Sequence, residues 1–298
     1  MKREHEYFPL NVLKRVHITK ELAKNTLIMK ATQAQAMGLS NEAIRKLMVS
    51  EENLAYLCNY ALLEYSENKQ VYRFDKLFTD VLATCKLDIP MTGSLFKHLP
   101  YDVFFVHLEE QRDGKDLFGI FFKEKTFNII YIGVFGENAS VHHTVFPMFL
   151  GNDERLQNIE EGLDKSFGTV KTHQEVKRIL QAAVYLSAKN AVITENPKQK
   201  TIYRPPFDPK HPKNKYSEIR MWDCGVRFTK EQSKQIVADT KLVGPKTGRH
   251  QRPHWRHAHY QHYWAGKGRK DLILKWKEPY LAGGKGDLPV VVHKKEEL

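Results

Sequence analysis

Four runs of β-branched and aromatic residues constrain this chain most: Tyr101 to Leu108, Leu117 to Phe122, Phe127 to Phe135 and Val141 to Leu150. Each has strand length, and they are separated by Gln111-Arg112-Asp113-Gly114, Lys123 to Thr126 and Gly136 to Ala139. The short spacers and the Asp-Gly pair predict an antiparallel meander. Several runs are apolar at successive positions, so both faces of such a sheet must be covered by helices rather than left half in water. A chain of 298 residues supplies enough length for that cover, about one large or two ordinary domains at roughly 150 residues each.

Helical spacing surrounds the runs. Leu54, Leu57, Cys58, Ala61, Leu62 and Tyr65 recur at i, i+3, i+4, i+7, i+8 and i+11, and Phe74, Leu77, Phe78, Val81, Leu82 and Cys85 repeat the pattern. Ser50 before Glu51 and Glu52 reads as an N-cap with acids in the first turn, and Gly38-Leu39-Ser40 separates an earlier helix near Thr19 to Lys30. Three or four short helices are expected before Asp88. Beyond the meander, Thr172 and Glu175 have capping-box spacing, and Val176, Ile179, Leu180, Ala183, Val184 and Ser187 form the apolar stripe of a helix that would pack on the sheet. Pro197, Pro205, Pro206, Pro209 and Pro212 then interrupt regular structure, because proline fixes φ and removes an amide donor. Leu272, Leu274 and Trp276 alternate with Asp271, Ile273, Lys275 and Lys277, and Gly266-Lys267-Gly268 is placed to turn this strand back on the preceding aromatic run. The expected fold class is therefore α+β: N-terminal helices over 1–88, a central antiparallel sheet-and-helix core over 89–195, a Pro/Lys-rich loop over 196–215 and a strand-rich basic region over 216–298 packed on the core.

Charge is concentrated at one end. Between Lys241 and Lys277 stand ten basic residues against one acidic residue, Asp271, in a chain whose net charge is +12. Such a stretch is the electrostatic footprint of a surface that meets phosphates, with a solvated face as the plainer reading. Residues Arg252 to Pro279 interleave this charge with Trp255, Tyr260, Tyr263, Trp264 and Trp276. Phosphate attraction combined with base stacking holds single-stranded nucleic acids; the alternative is that the rings form core and the basic stems cover them. Arg252, Arg256, Lys267, Arg269 and Lys270 are the candidate phosphate contacts, Trp255 and Tyr260 the candidate stacking faces, and His254 and His259 complete the set. Trp264 and Trp276 are assigned to packing.

His250, His254, His257, His259 and His262 crowd the same stretch. His257 and His259 would share a strand face, as a pair of metal ligands would, but no cysteine accompanies them and Asp271 is the one nearby carboxylate. Arg256-His257 with His262 matches an Arg-x5-His spacing found in some metal-independent ribonucleases, in a setting that reads as strand rather than helix. Phosphate-cradling GxxxxGK[ST], HExxH and GxSxG motifs are missing. Cys58, Cys85 and Cys224 are far apart and odd in number, which fits buried thiols better than disulfides; Cys224, beside Gly225, has no base placed for it in sequence. The N-terminal MKREHEYFPLNVLKR lacks the apolar centre of a secretory signal, and about 18 consecutive apolar residues occur nowhere, so a cytoplasmic protein is expected.

Arg252-Pro253-His254, His259-Tyr260, Tyr263-Trp264, Gly266-Lys267-Gly268 and Trp276 with Pro279 follow in an order and spacing that resemble a type V-A anti-CRISPR family of mobile genetic elements, whose pattern reads RPHxRRGHWxxYWxGxG before a basic strand with W-x-x-P. Leu99-Pro100-Tyr101, the Gly119 region, Val176 to Leu186 and the Pro/Lys insert before Trp222 recur in the same order, so the likeness spans about residues 90 to 285. It implies a non-enzymatic inhibitor without cofactor or metal. Such a protein recognises the N-terminal peptide of a Cas effector as it leaves the ribosome and lowers the effector's mRNA. The implied partners are that peptide, RNA or the ribosome, and a host mRNA-decay factor, with no membrane. Here His257-Ala258 replaces the family's Arg-Gly pair and Tyr260 its Trp. A general nucleic-acid-binding protein of a mobile element and a His-dependent ribonuclease are the alternatives.

Overall fold

The computed structural model describes residues 16, 18–40, 43, 47, 51–87, 95–96, 98–112, 115–125, 129–135, 141–147, 170–196, 201–202, 218–228, 230–239, 254–269 and 271–282. In chain order the elements are α1 (Lys20–Ala36), α2 (Glu51–Asn68), β1 (Gln70–Phe74), α3 (Lys76–Leu82), β2 (Val103–Arg112), β3 (Lys115–Glu124), β4 (Ile129–Phe135), β5 (Val141–Pro147), α4 (Val170–Ser187), β6 (Ile193–Glu195), β7 (Thr201–Ile202), β8 (Glu218–Cys224), α5 (Lys230–Asp239), β9 (His254–Arg256), β10 (His259–Ala265), β11 (Asp271–Lys277) and β12 (Tyr280–Ala282).

The four apolar runs form the antiparallel meander β2-β3-β4-β5. It continues through β1 and β8 to β6, in the order β5-β4-β3-β2-β1-β8-β6, with β7 also on β8. β1 is parallel to both neighbours, β2 and β8. This strand corrects the helical reading of 1–88. Phe74 completes the spacing of the helix that follows, yet it ends β1, and Asp75 caps α3 by accepting from the Phe78 amide at 2.9 Å. The fold class is α+β, as expected, with parallel pairing at its centre.

Alternation assigns the two faces. Tyr72, Phe104, Val106, Phe121, Ile130 and Ile132 point into one core shared with α3, α4 and the C-terminal strands. Val71, Phe105, Ile120, Phe122, Tyr131 and Ile219 point into a second core under α1 and α2. Both faces are thus covered, as the apolar runs required. α4 lies so close to β3 that a Cβ on Gly119 would come within 2.6 Å of the Ile179 side chain. Burying these two cores is the dominant favourable contribution to the fold.

Local details differ from the sequence reading where side chains compete. Thr19 caps α1 through its hydroxyl, 3.1 Å from the Leu22 amide, and α1 runs six residues past Lys30 to Ala36. α4 begins at Val170, so Thr172 lies inside its first turn and is not the cap. β7 pairs two residues of the Pro/Lys-rich stretch with Ile219 and Glu218, and α5 adds a helix to the region read as strands. Ser50 lies outside the described residues.

Candidate nucleic-acid interface

The basic aromatic stretch folds as two antiparallel pairs. β9 pairs with β12, placing Arg256 opposite Tyr280 and Trp255 opposite Leu281. β10 and β11 form the expected hairpin, with Tyr260 opposite Trp276, His262 opposite Leu274 and Trp264 opposite Leu272. Side chains alternate across a strand, so Tyr260, His262 and Trp264 share one face with Trp276, Leu274 and Leu272. The other face carries His259, Gln261 and Tyr263 with Lys277, Lys275 and Ile273.

The first face anchors the hairpin. Trp276 is 2% exposed and meets Phe78 and Tyr185 edge to face, with centroids 5.4 and 5.3 Å apart. Tyr260 is 7% exposed and donates its hydroxyl to the Gln181 carbonyl of α4 at 3.1 Å. Asn190, just beyond α4, treats β11 as a neighbouring strand would: its Nδ2 donates to the Trp276 carbonyl at 2.8 Å, and its Oδ1 accepts from the Trp276 amide at 2.9 Å. The Lys189 amide extends the pairing to the Leu274 carbonyl at 2.9 Å.

These contacts correct the stacking assignment. Trp255, 4% exposed, belongs with Tyr260 to the first core, so neither ring face is open to a base. Ala258 is also buried in that core, where the family pattern has glycine, and the Tyr260 phenol has a backbone partner at the position of the family's Trp. Conversely Trp264, assigned above to packing, is 63% exposed. It lies on the anchoring face but nearest the turn, beyond the edge of the core.

Charge remains outside. Arg256, His257, His259, Lys267, Arg269 and Lys277 are exposed. Arg252 and Lys270 lie outside the described residues, and His254 is placed by its backbone in β9. On the outer face Lys275 and Lys277 hold their ammonium groups 5.1 and 5.3 Å from the Tyr263 ring centroid, and the Tyr263 hydroxyl donates to Gln261 at 2.7 Å. The anchoring aromatics and the exposed bases thus divide one short motif between core and surface.

His257 and His259 do not share a strand face. His257 lies between β9 and β10, and the His259 Nδ1 sits 3.2 Å from the His257 carbonyl oxygen. Partial desolvation, followed by the charges of Lys86 and His259, holds the exposed His257 below its ordinary value; burial alone lowers the half-buried His262. Among the described residues no group of three His, Cys, Asp or Glu side chains is placed to hold a metal. Cys58, Cys85 and Cys224 are buried thiols rather than disulfides, and burial pushes the first two up to about 11 and about 12. Cys224 contacts the Trp222 carbonyl oxygen at 3.7 Å.

A polar network escaped the sequence reading because its members are far apart in the chain. Arg73 of β1 donates from Nε to Asp223 of β8 at 2.8 Å and lies 3.6 Å from Glu109 of β2, while Asn196 donates to the other Asp223 oxygen at 2.8 Å. His107 Nε2 is 2.7 Å from Asp116, with its ring stacked on Phe118. The register that pairs Arg73 with both Asp223 and His107 assembles these groups, tying the parallel strands together.

No described helix is long and apolar enough to cross a membrane. A solved structure named as the crystal structure of AcrVA2 is similar over 86% of this chain and 92% of its own, at 15% identity and a TM-score of 0.40. No curated protein matches the chain in sequence. A family model matches residues 72–284, from within β1 through the basic hairpin and past β12. On that match the chain belongs to the anti-CRISPR type V subtype A2 family, the AcrVA2-like proteins.

Proposed function

We propose that this chain inhibits a type V-A CRISPR system by lowering production of its Cas effector. It binds the effector's N-terminal peptide as that peptide emerges from the ribosome, and its basic C-terminal surface meets the accompanying RNA or ribosome. It acts by binding rather than by catalysis and leads to loss of the effector mRNA through a host decay factor. Family membership supports the Cas effector as the target.

The observation that carries the RNA contact is the division of the C-terminal motif. Trp255, Tyr260 and Trp276 hold it to the core, while Arg256, Lys267, Arg269 and Lys277 face water. An exposed set of cations on a rigidly held hairpin attracts phosphates without ordering a long flexible tail at each encounter.

The peptide half is tested with the purified full chain and a labelled synthetic peptide of the effector's N-terminal sequence. Saturable binding is expected, and a scrambled peptide of the same composition should not compete. Equal binding of the two peptides would refute sequence recognition and leave a general nucleic-acid-binding protein of a mobile element. Cleavage of RNA by the same preparation, lost in His262→Ala, would instead establish the ribonuclease alternative.

A further inference from the structure

The hairpin's anchoring row runs out of core before it reaches the turn. Tyr260, Trp276 and Leu274 are buried, Leu272 is half-buried, and Trp264 across from Leu272 is exposed. Its indole is a large apolar surface facing water at the end of a rigid element. Immediately beyond it, the turn is built from left-handed residues: Gly266 at φ 78°, Gly268 at φ 75° and Arg269 at φ 53°. The Arg269 amide closes this turn on the Gly266 carbonyl at 3.1 Å. Arginine pays a backbone penalty there that glycine would not, and strain at an exposed charged position points to use of the side chain. Lys267 and Arg269 therefore stand, exposed, on a tight turn next to an exposed indole.

We infer that this end of the hairpin is a single-strand clamp: one unstacked base lies on Trp264 while neighbouring phosphates meet Lys267 and Arg269. The inference rests on the RNA contact proposed above and assigns it to these three residues. An aromatic face selects a base that is free to unstack, and the cations select its backbone. A duplex offers the phosphates without the base face, and an acidic peptide offers the charge without the ring. DNA and RNA single strands of equal length present the same kind of base face and the same phosphates to these three residues, so they should bind alike.

The test is fluorescence anisotropy of the full chain with labelled oligouridylate, oligodeoxythymidylate and a duplex, across a salt series. Trp264→Ala should weaken both single strands about 5- to 150-fold and leave the salt slope unchanged. Lys267→Ala with Arg269→Gly should weaken binding and reduce the slope by about 1.4, the release expected for two single-strand phosphate contacts. Urea midpoints should be unchanged in Trp264→Ala and unchanged or raised in Arg269→Gly, which separates lost contacts from lost folding. Absence of any binding by the unaltered chain at low salt would refute the RNA reading itself. Binding that survives all three substitutions, or a duplex that binds as tightly as the single strands, would overturn the clamp while leaving an RNA contact elsewhere. An emission component lost in Trp264→Ala that blue-shifts on anionic vesicles and is not quenched by oligouridylate would likewise overturn it in favour of a lipid surface.

Discussion

Truncating the two hairpin tryptophans separately should give opposite results. Trp276 is 2% exposed, with Phe78 and Tyr185 packed edge to face against it. Burying an aromatic of this size removes roughly 150–250 Å² from water, worth about 4–6 kcal/mol at 25 cal/mol per Å². Measured aromatic-to-alanine losses of about 3–5 kcal/mol include incomplete collapse of the cavity. Trp276→Ala should therefore cost about 4 kcal/mol, a large part of the roughly 5–15 kcal/mol that holds a typical native state. Trp264 is 63% exposed, so Trp264→Ala should stay within about 0.5 kcal/mol of the unaltered chain. Urea unfolding followed by far-ultraviolet circular dichroism measures both, with a constant slope confirming that the same transition is compared. Equal losses for the two variants, or a loss below about 1 kcal/mol for Trp276→Ala, would refute the division of this motif into anchor and exposed end.

Three further outcomes test the packing. Gly225 has φ 95°, and a Cβ there would lie 2.3 Å from the buried Phe78 ring; Gly225→Ala should cost about 2–5 kcal/mol in urea unfolding, combining a left-handed penalty with overpacking. Asn190→Ala removes both hydrogen bonds to the Trp276 backbone and should cost about 1–3 kcal/mol, and Asn190→Asp, which sets a carboxylate oxygen against the Trp276 carbonyl, should cost at least as much; a clearly smaller loss for Asn190→Asp would contradict the two-bond account. Burial lowers His262 from its ordinary 6.5, so the unfolded chain takes up a proton at a higher pH than the folded chain. Stability should then fall as pH drops below about 6.5 toward the lowered folded value, and His262→Gln should flatten that decline in midpoint-versus-pH curves; parallel curves would count against it.

The meander was legible because its β-branched and aromatic runs are long and punctuated by turns. β1 was not, for two reasons visible in its residues. Val71 faces one core and Tyr72 and Phe74 the other, so no apolar-polar alternation marks it as a strand. Phe74 also extends the helical spacing of Leu77, Phe78, Val81 and Leu82, and local periodicity favours the wrong element until the sheet demands a central strand. The hairpin itself followed from Gly266-Lys267-Gly268, and its register sets Tyr260 against Trp276 and leaves Trp264 nearest the turn. That register was the available signal for which tryptophan is exposed. The limit of the core along the row was not available, because it is set by α3 and α4, over 70 residues distant in the chain. The Arg73–Asp223 network was hidden for the same reason: 150 residues separate its partners, and adjacency arises only when β1 enters beside β8.

The central functional claim is that inhibition acts on effector production through the effector's own N-terminal peptide. The most direct measurement is the effector mRNA level in cells carrying a type V-A effector gene, with and without this chain, for three versions of the first codons: unaltered, synonymously recoded, and recoded to different amino acids. The mRNA should fall for the unaltered and synonymous versions and remain high when the amino acids change. An equal fall for all three, or unchanged mRNA in every case while interference is still blocked, would contradict the account.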